Sequence, residues 1–380
     1  MRIGFDGKRA VENKTGLGNY SRFIIDILSR LHKENQYTIY APKPKENNPL
    51  DRILSRENIQ IIYPASHFWK RLCSLWRIWG INKQIKEEQL SLFHGLSNEL
   101  PLSIKKSKTR SIVTIHDLIF IRYPQFYKWI DRRIYIYKFK KACQNSDRII
   151  AISEMTKRDI IAFFGIDAHK IDVVYQSCHP IFEQPASSTQ KKEIRQKYQL
   201  PDKYILNVGS IESRKNLLLV VKALHYIPED ISLVAIGKRT TYTNEVEEYI
   251  NKHQLNHRVH ILHNIPFQEL PVFYQLAKLF VYPSFFEGFG IPIIEAIHSN
   301  IPVIAATGSC LEEAGGPDSI YINPNNEKEL AININKILTS SDLVNKMTTK
   351  GKEYIKRFSD ETIAQDIMQV YQKALSATKA

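Results

Sequence analysis

Leu279-Phe-Val-Tyr-Pro-Ser-Phe-Phe-Glu-Gly-Phe-Gly-Ile-Pro-Ile-Ile-Glu-Ala-Ile297 is the stretch from which the rest of this chain can be read. Its first four residues form an unbroken apolar run, the pattern of a strand buried on both faces. A turn with Gly288 and Gly290 follows, and then a helix from about Ile291, since Pro292 suits a first-turn position and Glu295, Ala296 and Ile297 continue helically. Strand, glycine turn and helix start together make an anion site: without a Cβ a ligand approaches the backbone closely, and the N–H groups of the helix start face it. Glu287 stands in the turn and Glu295 about one helical turn, roughly 5–6 Å, inside the helix. On a solvated helix such a pair would be unremarkable surface charge. Here Glu287 lies among Phe285, Phe286 and Phe289, and Glu295 among Ile293, Ile294 and Ile297, so neither belongs to a polar run. Partly buried carboxylates need partners, and a polyhydroxyl ligand supplies them.

Strand-like and helix-like segments alternate along the chain, which predicts parallel sheets. Strands are expected at Arg2–Phe5, Tyr37–Tyr40, Gln60–Tyr63, Leu92–His94, Ile112–Ile115 and Arg148–Ile152 in the first half. In the second half they are expected at Tyr204–Val208, Ser232–Ile236, Val259–Leu262, Leu279–Tyr282, Val303–Ala305 and Ile320–Ile322. Helical patterns include residues 17–32, 69–89, 126–144, 154–165 and 291–299. Gln184–Thr189 reads as a linker. At 380 residues the chain suits two α/β domains of roughly 150–200 residues, expected at 1–182 and 190–358 and meeting across a cleft. It opens directly on a strand-like run, and no apolar stretch reaches about 18 residues, so a cytosolic protein is expected. Cys73, Cys143, Cys178 and Cys310 lack the spacing of a disulfide frame or a zinc site.

Charge is uneven. Residues 1–180 carry 31 Lys and Arg against 17 Asp and Glu, residues 181–380 carry 22 of each, and the whole excess of +14 therefore lies in the first half. An anionic partner of that half is favoured, such as a phospholipid surface or a lipid-diphosphate acceptor. In His67–Trp79, Trp69, Leu72, Trp76 and Trp79 fall at helical spacing beside Lys70, Arg71 and Arg77. Such a stripe packs on its own core or meets a membrane or acceptor, and Arg122–Lys141 has the same two readings. The charge is too dispersed, and compact modules too absent, for a nucleic-acid binder.

The Glu-Gly-Phe-Gly-Ile-Pro-Ile-Ile-Glu segment resembles the glutamate-seven-glutamate motif of retaining glycosyltransferases of family 4, which have the two-domain GT-B fold. Tyr204-Ile-Leu-Asn-Val-Gly-Ser-Ile-Glu-Ser-Arg-Lys-Asn-Leu217 resembles the strand and loop that open that family's donor domain, and Pro302–Pro324, with Gly308 to Gly316, its next loop. Thr15-Gly-Leu-Gly-Asn-Tyr20, Leu92-Phe-His-Gly95 and Val113-Thr-Ile-His-Asp117 fall where the family carries its glycine loop and acceptor-side histidines. The resemblance implies a hexosyltransferase with an N-terminal acceptor domain and a C-terminal nucleotide-sugar domain, the last helix, residues 360–376, returning to the first. It implies Glu287 and His116 at the reacting sugar. It implies Ser210, Arg214, Lys215, Gly288, Phe289, Gly290, Ile291, Glu295 and Glu313 around the donor, and Gly16, Gly18, Asn19 and His94 on the acceptor and diphosphate side. Ser210 departs from the pattern, since many relatives have arginine there, and Arg214 is the residue placed to supply that charge.

No Asp-x-Asp occurs, so no metal and no cofactor are expected, with lysine, arginine and helix N-termini handling the diphosphate. The donor-loop sequence resembles that of bacterial polysaccharide and O-antigen mannosyltransferases, which favours GDP-mannose and leaves UDP-sugars open. The acceptor is then a glycan or lipid-diphosphate-linked glycan, with peripheral contact at the inner face of an anionic cytoplasmic membrane. A glycoside hydrolase also uses paired carboxylates but needs no phosphate site. A dehydrogenase would show Gly-x-Gly-x-x-Gly after its first strand. A catalytically silent sugar-binding protein would not need both glutamates together with Lys215 and His116.

Overall fold

The computed structural model describes residues 1–13, 15–102 and 104–377. The chain divides into two compact units, Met1–Gln176 with Phe358–Ala380, and Ser177–Arg357. The first division falls ahead of Gln184–Thr189 because Pro180–Glu183 packs into the second unit, where the buried Phe182 ring lies 5.6 Å from Tyr274 and 5.8 Å from Phe267.

The first unit is built on a parallel sheet of seven strands, β1 Arg2–Asp6, β2 Gln36–Tyr40, β3 Ile59–Ile62, β4 Leu92–Gly95, β5 Arg110–Ile115, β6 Arg148–Ala151 and β7 Ile171–Val173, in the order β3-β2-β1-β4-β5-β6-β7. Its longer helices are α1 Gly16–Leu31, α2 Trp129–Asn145 and α3 Glu154–Phe164. The second unit repeats the scheme with β8 Tyr204–Val208, β9 Ser232–Ile236, β10 Val259–Leu262, β11 Leu279–Tyr282, β12 Val303–Ala306 and β13 Ile320–Ile322, ordered β10-β9-β8-β11-β12-β13. Around this sheet lie α4 Ser188–Lys197, α5 Thr241–Lys252, α6 Ile291–His298, α7 Glu327–Thr339 and α8 Ser341–Ile355. Strand β11 shows why apolar runs become central strands: Leu279, Phe280 and Val281 are fully buried, and each such side chain contributes about 1.5–3 kcal/mol of burial.

In both sheets the first strand neighbours the fourth, so β1 adjoins β4 and β8 adjoins β11. Crossovers leave in opposite directions at such a point and open a crevice beyond the carboxyl ends of the two strands, where ligands bind in sheets of this kind.

After the second unit the chain returns as α9, Asp360–Ser376. Ser359 caps it by accepting from the Thr362 N–H, and Ile363, Ile367, Val370, Tyr371 and Ala374 are buried along one stripe. Asp360 pairs with Arg30 at 2.5 Å and Lys373 with Asp172 at 2.9 Å.

Three sequence expectations need correction. Residues 69–89 are not one helix: short helices at His67–Arg71 and Cys73–Leu75 lead to a π-helical turn, Trp76–Gly80, and a helix Ile81–Glu87. A Cβ on Gly80 would stand 2.7 Å from the Trp76 ring and 2.8 Å from Trp69, so the two indoles close in only because this residue is glycine. The stretch from Gly16 to Asn19 is the first turn of α1, not a loop. Strand β7 was not anticipated, because it is a three-residue edge strand whose middle residue, Asp172, is charged and pairs with Arg148.

Candidate active site

At the carboxyl end of β8, Gly209 turns the chain with φ +149° and is followed by Ser210 and a 3-10 turn, Ser213–Lys215. Beyond β11 comes the turn that leads through Gly290, at φ +131°, into α6. The two loops interlock. The Phe285 N–H donates to the Arg214 carbonyl at 3.0 Å, and Arg214 Nη1 donates to the Phe286 carbonyl at 2.6 Å. Asn216, held left-handed at φ +58°, donates to the carbonyls of Pro283 and Pro324 and ties a third loop to them.

This scaffold gathers three charges. Glu287 Oε1 lies 2.7 Å from Arg214 Nη1 and 2.7 Å from Lys215 Nζ, and all three side chains are 13–15% exposed. Lys215 also donates to the Tyr282 hydroxyl at 2.5 Å, which in turn donates to Glu287 at 3.2 Å. Glu212, 42% exposed, stands 3.6 Å from Arg214 at the rim. Burial alone would push the Glu287 carboxyl up, but Lys215 and Arg214 together hold it down at about 2. The site is thus a carboxylate already occupied by two cations. Any anion entering here shares those cations with Glu287.

Cys310 braces the turn from beneath: buried, its thiol reaches the carbonyls of Glu287 at 2.9 Å and Phe289 at 3.1 Å. Cys310 and Asn216 were not singled out from sequence, since each holds backbone far away along the chain. The start of α6 offers fewer free donors than a generic helix, because Pro292 has no N–H and the Ile293 N–H is bonded to the Gly290 carbonyl at 2.9 Å. Glu295 lies one turn further, where burial raises its carboxyl to about 7 and a 2.8 Å hydrogen bond from the Tyr274 hydroxyl partly opposes that rise. Glu287 and Glu295 therefore differ sharply in proton affinity: one is fixed as a carboxylate, the other poised near neutrality. Glu313 is half-buried in the short helix Leu311–Gly315, its carbonyl accepting from Tyr354. It is the neighbouring Glu312 whose carboxylate accepts from Thr307 and the Gly308 N–H and closes the loop after β12.

In the first unit His116, just past β5, is 5% exposed and its Nε2 donates to the Leu96 carbonyl at 2.9 Å. That bond leaves Nδ1 as the lone-pair nitrogen, and burial lowers the ring to about 4, so the imidazole is neutral near pH 7. Tyr20 meets it edge-on at 4.6 Å. His94 is placed differently from the acceptor-side position expected. It has no exposed surface, and its ring nitrogens lie 2.8 Å from the Tyr371 hydroxyl of α9 and 2.8 Å from Thr114 Oγ1, so it joins sheet to helix and has no face for a ligand. Gly16 has open space where a Cβ would stand, whereas a Cβ on Gly18 would fall 1.9 Å from the Asn13 carbonyl oxygen. Gly18 therefore serves close packing within the unit, and Asn19 is bonded to Arg22.

Comparison with known proteins bears on the family and the fold. Residues 190–354 match the family model for glycosyl transferases group 1, and residues 20–178 that for Glycosyltransferase Family 4. O-antigen chain mannosyltransferase B of Escherichia coli is 24% identical over 98% of this chain and 99% of its own length. O-antigen chain mannosyltransferase RfbU of Salmonella typhimurium is 28% identical over 67% of each chain. Among solved structures, Anabaena HepE in complex with UDP and glucose has a TM-score of 0.76 at 17% identity, covering 98% of this chain and 100% of that one. With family models spanning both units, and with a loop pair built on Lys215 and Glu287 where β8 meets β11, this chain belongs to glycosyltransferase family 4 and is a glycosyltransferase of GT-B fold.

Proposed function

We propose that the protein is a retaining hexosyltransferase that takes its sugar from a nucleotide-diphosphate donor, GDP-mannose in the first place, and extends a lipid-linked surface polysaccharide or O-antigen. The observation that carries this reading is the buried trio at the β8–β11 junction: Arg214 and Lys215 against a single buried carboxylate, beside the start of a helix. Among the buried groups two cations face one carboxylate, with Glu212 exposed at the rim, which suits a diphosphate whose negative charge grows as the sugar departs. Arg214 fills the need that Ser210 leaves, and the mannosyltransferase names of the two curated relatives favour mannose.

In the proposed reaction the bond from the anomeric carbon to the diphosphate oxygen breaks while a bond to the acceptor oxygen forms on the same face. The acceptor proton passes to the departing phosphate oxygen. Lys215 and Arg214 take up the phosphate charge. Glu287, ionised because of them, faces the positive charge that develops on the sugar. Neutral His116 accepts a sugar hydroxyl at Nδ1, and Glu295 receives the ribose. Gly288, Phe289, Gly290 and Ile291 provide the backbone over which the diphosphate sits. In this reading the first unit serves the acceptor and the second the donor.

The test is a panel of nucleotide sugars scored by thermal shift. A ligand at 100 times its dissociation constant stabilises the folded state by about 2.7 kcal/mol, so GDP-mannose is expected to raise the melting temperature with concentration. A panel in which no nucleotide sugar does so contradicts the reading. A response to UDP-sugars alone changes the donor.

A further inference from the structure

At the amino ends of β1, β2 and β3 lies a cavity that no step of the proposed reaction uses. Its volume is about 320 Å³, near the lower end of the roughly 300–1,000 Å³ typical of small-molecule sites. Arg2 lines it from the start of β1, Gln36 and Thr38 from β2, Gln60 from β3 with Glu57 just ahead of that strand, and Glu88 from the end of the helix Ile81–Glu87. Arg2 stands four residues before Asp6, roughly 13 Å along the strand, so the cavity lies at the other end of the sheet from the crevice where β1 meets β4.

Strand register explains why the cavity is open and polar. Arg2 lies beside Gln36, and Thr38 beside Gln60, so these four side chains share one face of the sheet. Strands covered on both faces read as apolar runs, and the opposite face keeps that rule, with Ile3, Tyr37 and Ile59 buried. On the polar face Arg2, Gln36 and Gln60 are exposed, and Thr38 is buried among them. Leu90 closes the inner end by packing directly on Gly4, where a Cβ would collide with it.

The polar groups are set in place without being consumed by one another. Gln60 Nε2 donates to Thr38 Oγ1 at 3.2 Å and to Glu88 Oε2 at 3.4 Å, which fixes amide and carboxylate side by side. Arg2 Nη1 donates to the Glu88 carbonyl at 3.2 Å. Among the described residues Arg2 forms no ion pair, although Glu57 and Glu88 line the same space, and the side chains of Gln36 and Glu57 have no hydrogen-bond partner. This differs from Arg77, whose guanidinium is bound by Asp6 and Glu99.

That lining selects its occupant. Residues 1–180 carry an excess of +14, yet here one guanidinium faces two carboxylates, a balance that disfavours a phosphate or another anion. Carboxylates, primary amides and a guanidinium on one sheet face offer acceptors and donors in alternation, which neighbouring sugar hydroxyls can answer with both of their roles. We propose that this cavity is a second saccharide site, which holds a hexose unit of the glycan at the end of the first unit's sheet opposite the crevice. The inference rests on the reading of the protein as a hexosyltransferase, since that reading supplies a neutral polyhydroxyl chain. A long acceptor held here stays with the protein between transfers, because tethering raises the effective concentration of its free end. A short acceptor gains nothing.

The test is saturation-transfer NMR of the full-length protein with mannotriose as the probe, with calorimetric titration of GDP and UDP in parallel. Wild type is expected to transfer saturation to the sugar. The triple variant Gln36→Ala, Glu57→Ala, Gln60→Ala is expected to bind it about tenfold more weakly, the loss that a few hydrogen bonds bring, with unchanged melting temperature and nucleotide affinity. Gln36→Trp, an exposed position at the mouth, is expected to block the cavity by filling it, so the test stands even where the triple variant does not fold. Wild type without a saccharide signal, or folded variants that bind mannotriose as wild type does, overturn the proposal. So does binding of inorganic phosphate or spermidine that the same variants abolish, since the cavity then takes an ion. Saccharide binding that the variants abolish, in a protein that binds neither GDP nor UDP, upholds the site and sinks the donor reading; nucleotide binding without any saccharide signal does the reverse.

Discussion

The two strand junctions of this molecule have the same topology and opposite electrostatics. Where β8 meets β11, the buried members are two cations, Arg214 and Lys215, around one carboxylate, Glu287. Where β1 meets β4, one buried cation, Arg77, is held by two carboxylates, Asp6 and Glu99, with Lys138 half-exposed beyond them. Arg77 is saturated, and the pairing holds its guanidinium above its usual range despite burial. It fastens two surface elements to the sheet. Lys215 and Arg214 share one buried partner, and the second carboxylate near Arg214, Glu212, is exposed at 3.6 Å, where an entering anion can compete with it. The strand order provides a crevice in each unit, and the ratio of charges decides whether the residues there hold the protein together or hold a ligand.

If that contrast is right, removing Glu287's charge should have the largest effect and act in two directions. Glu287→Gln is expected to lower transfer by about 10²–10³-fold, the usual cost of losing one electrostatic contributor to a transition state. The same change releases both cations, so the nucleoside diphosphate product should bind about tenfold more tightly, about 1.4 kcal/mol. Steady-state kinetics and product titration check both. Weaker product binding would mean that Glu287 does not compete for the cations.

Next in size is the polar network inside the first unit. Tyr371→Phe removes the hydroxyl that meets His94 and leaves a buried ring nitrogen unpaired, at a cost of about 1–3 kcal/mol. Chemical denaturation should show that loss while nucleoside diphosphate affinity is unchanged. A changed affinity would mean that His94 belongs to the ligand site after all.

The third comparison is the pH response of Glu295. Its folded-state carboxyl sits near 7, above the unfolded value of about 4.3, so the folded state holds a proton that the unfolded chain has released. The stability that Glu295 contributes is therefore complete below about pH 4 and is lost as pH rises towards 7. Glu295→Gln should flatten this, so that melting temperatures of variant relative to wild type improve between pH 5 and 8. A constant difference across that range would place Glu295 in a more polar setting.

Much of this was legible in the sequence, for reasons particular residues make plain. The six strands of the second unit are apolar runs bounded by turns, and Glu287 and Lys215 lie in short motifs whose spacing fixes their local structure. His94 was not legible, because a histidine in β4 reads alike whether it faces a crevice or a helix, and Tyr371 lies 277 residues away. Cys310, Asn216 and Glu312 were missed because each acts on backbone in another loop, for which no local pattern exists. The tryptophan stripe showed its helical period but not its break: Trp76 is 1% exposed and Trp79 51%, and the π-helical turn that separates their fates depends on Gly80.

The central claim is that Arg214 and Lys215 form the seat of the donor diphosphate, and calorimetric titration of GDP and UDP tests it most directly. Wild type should bind at least one of the two, and the folded double variant Arg214→Ala, Lys215→Ala should bind it at least 100-fold more weakly. A double variant that keeps its fold and binds both nucleotides as wild type does would contradict the account.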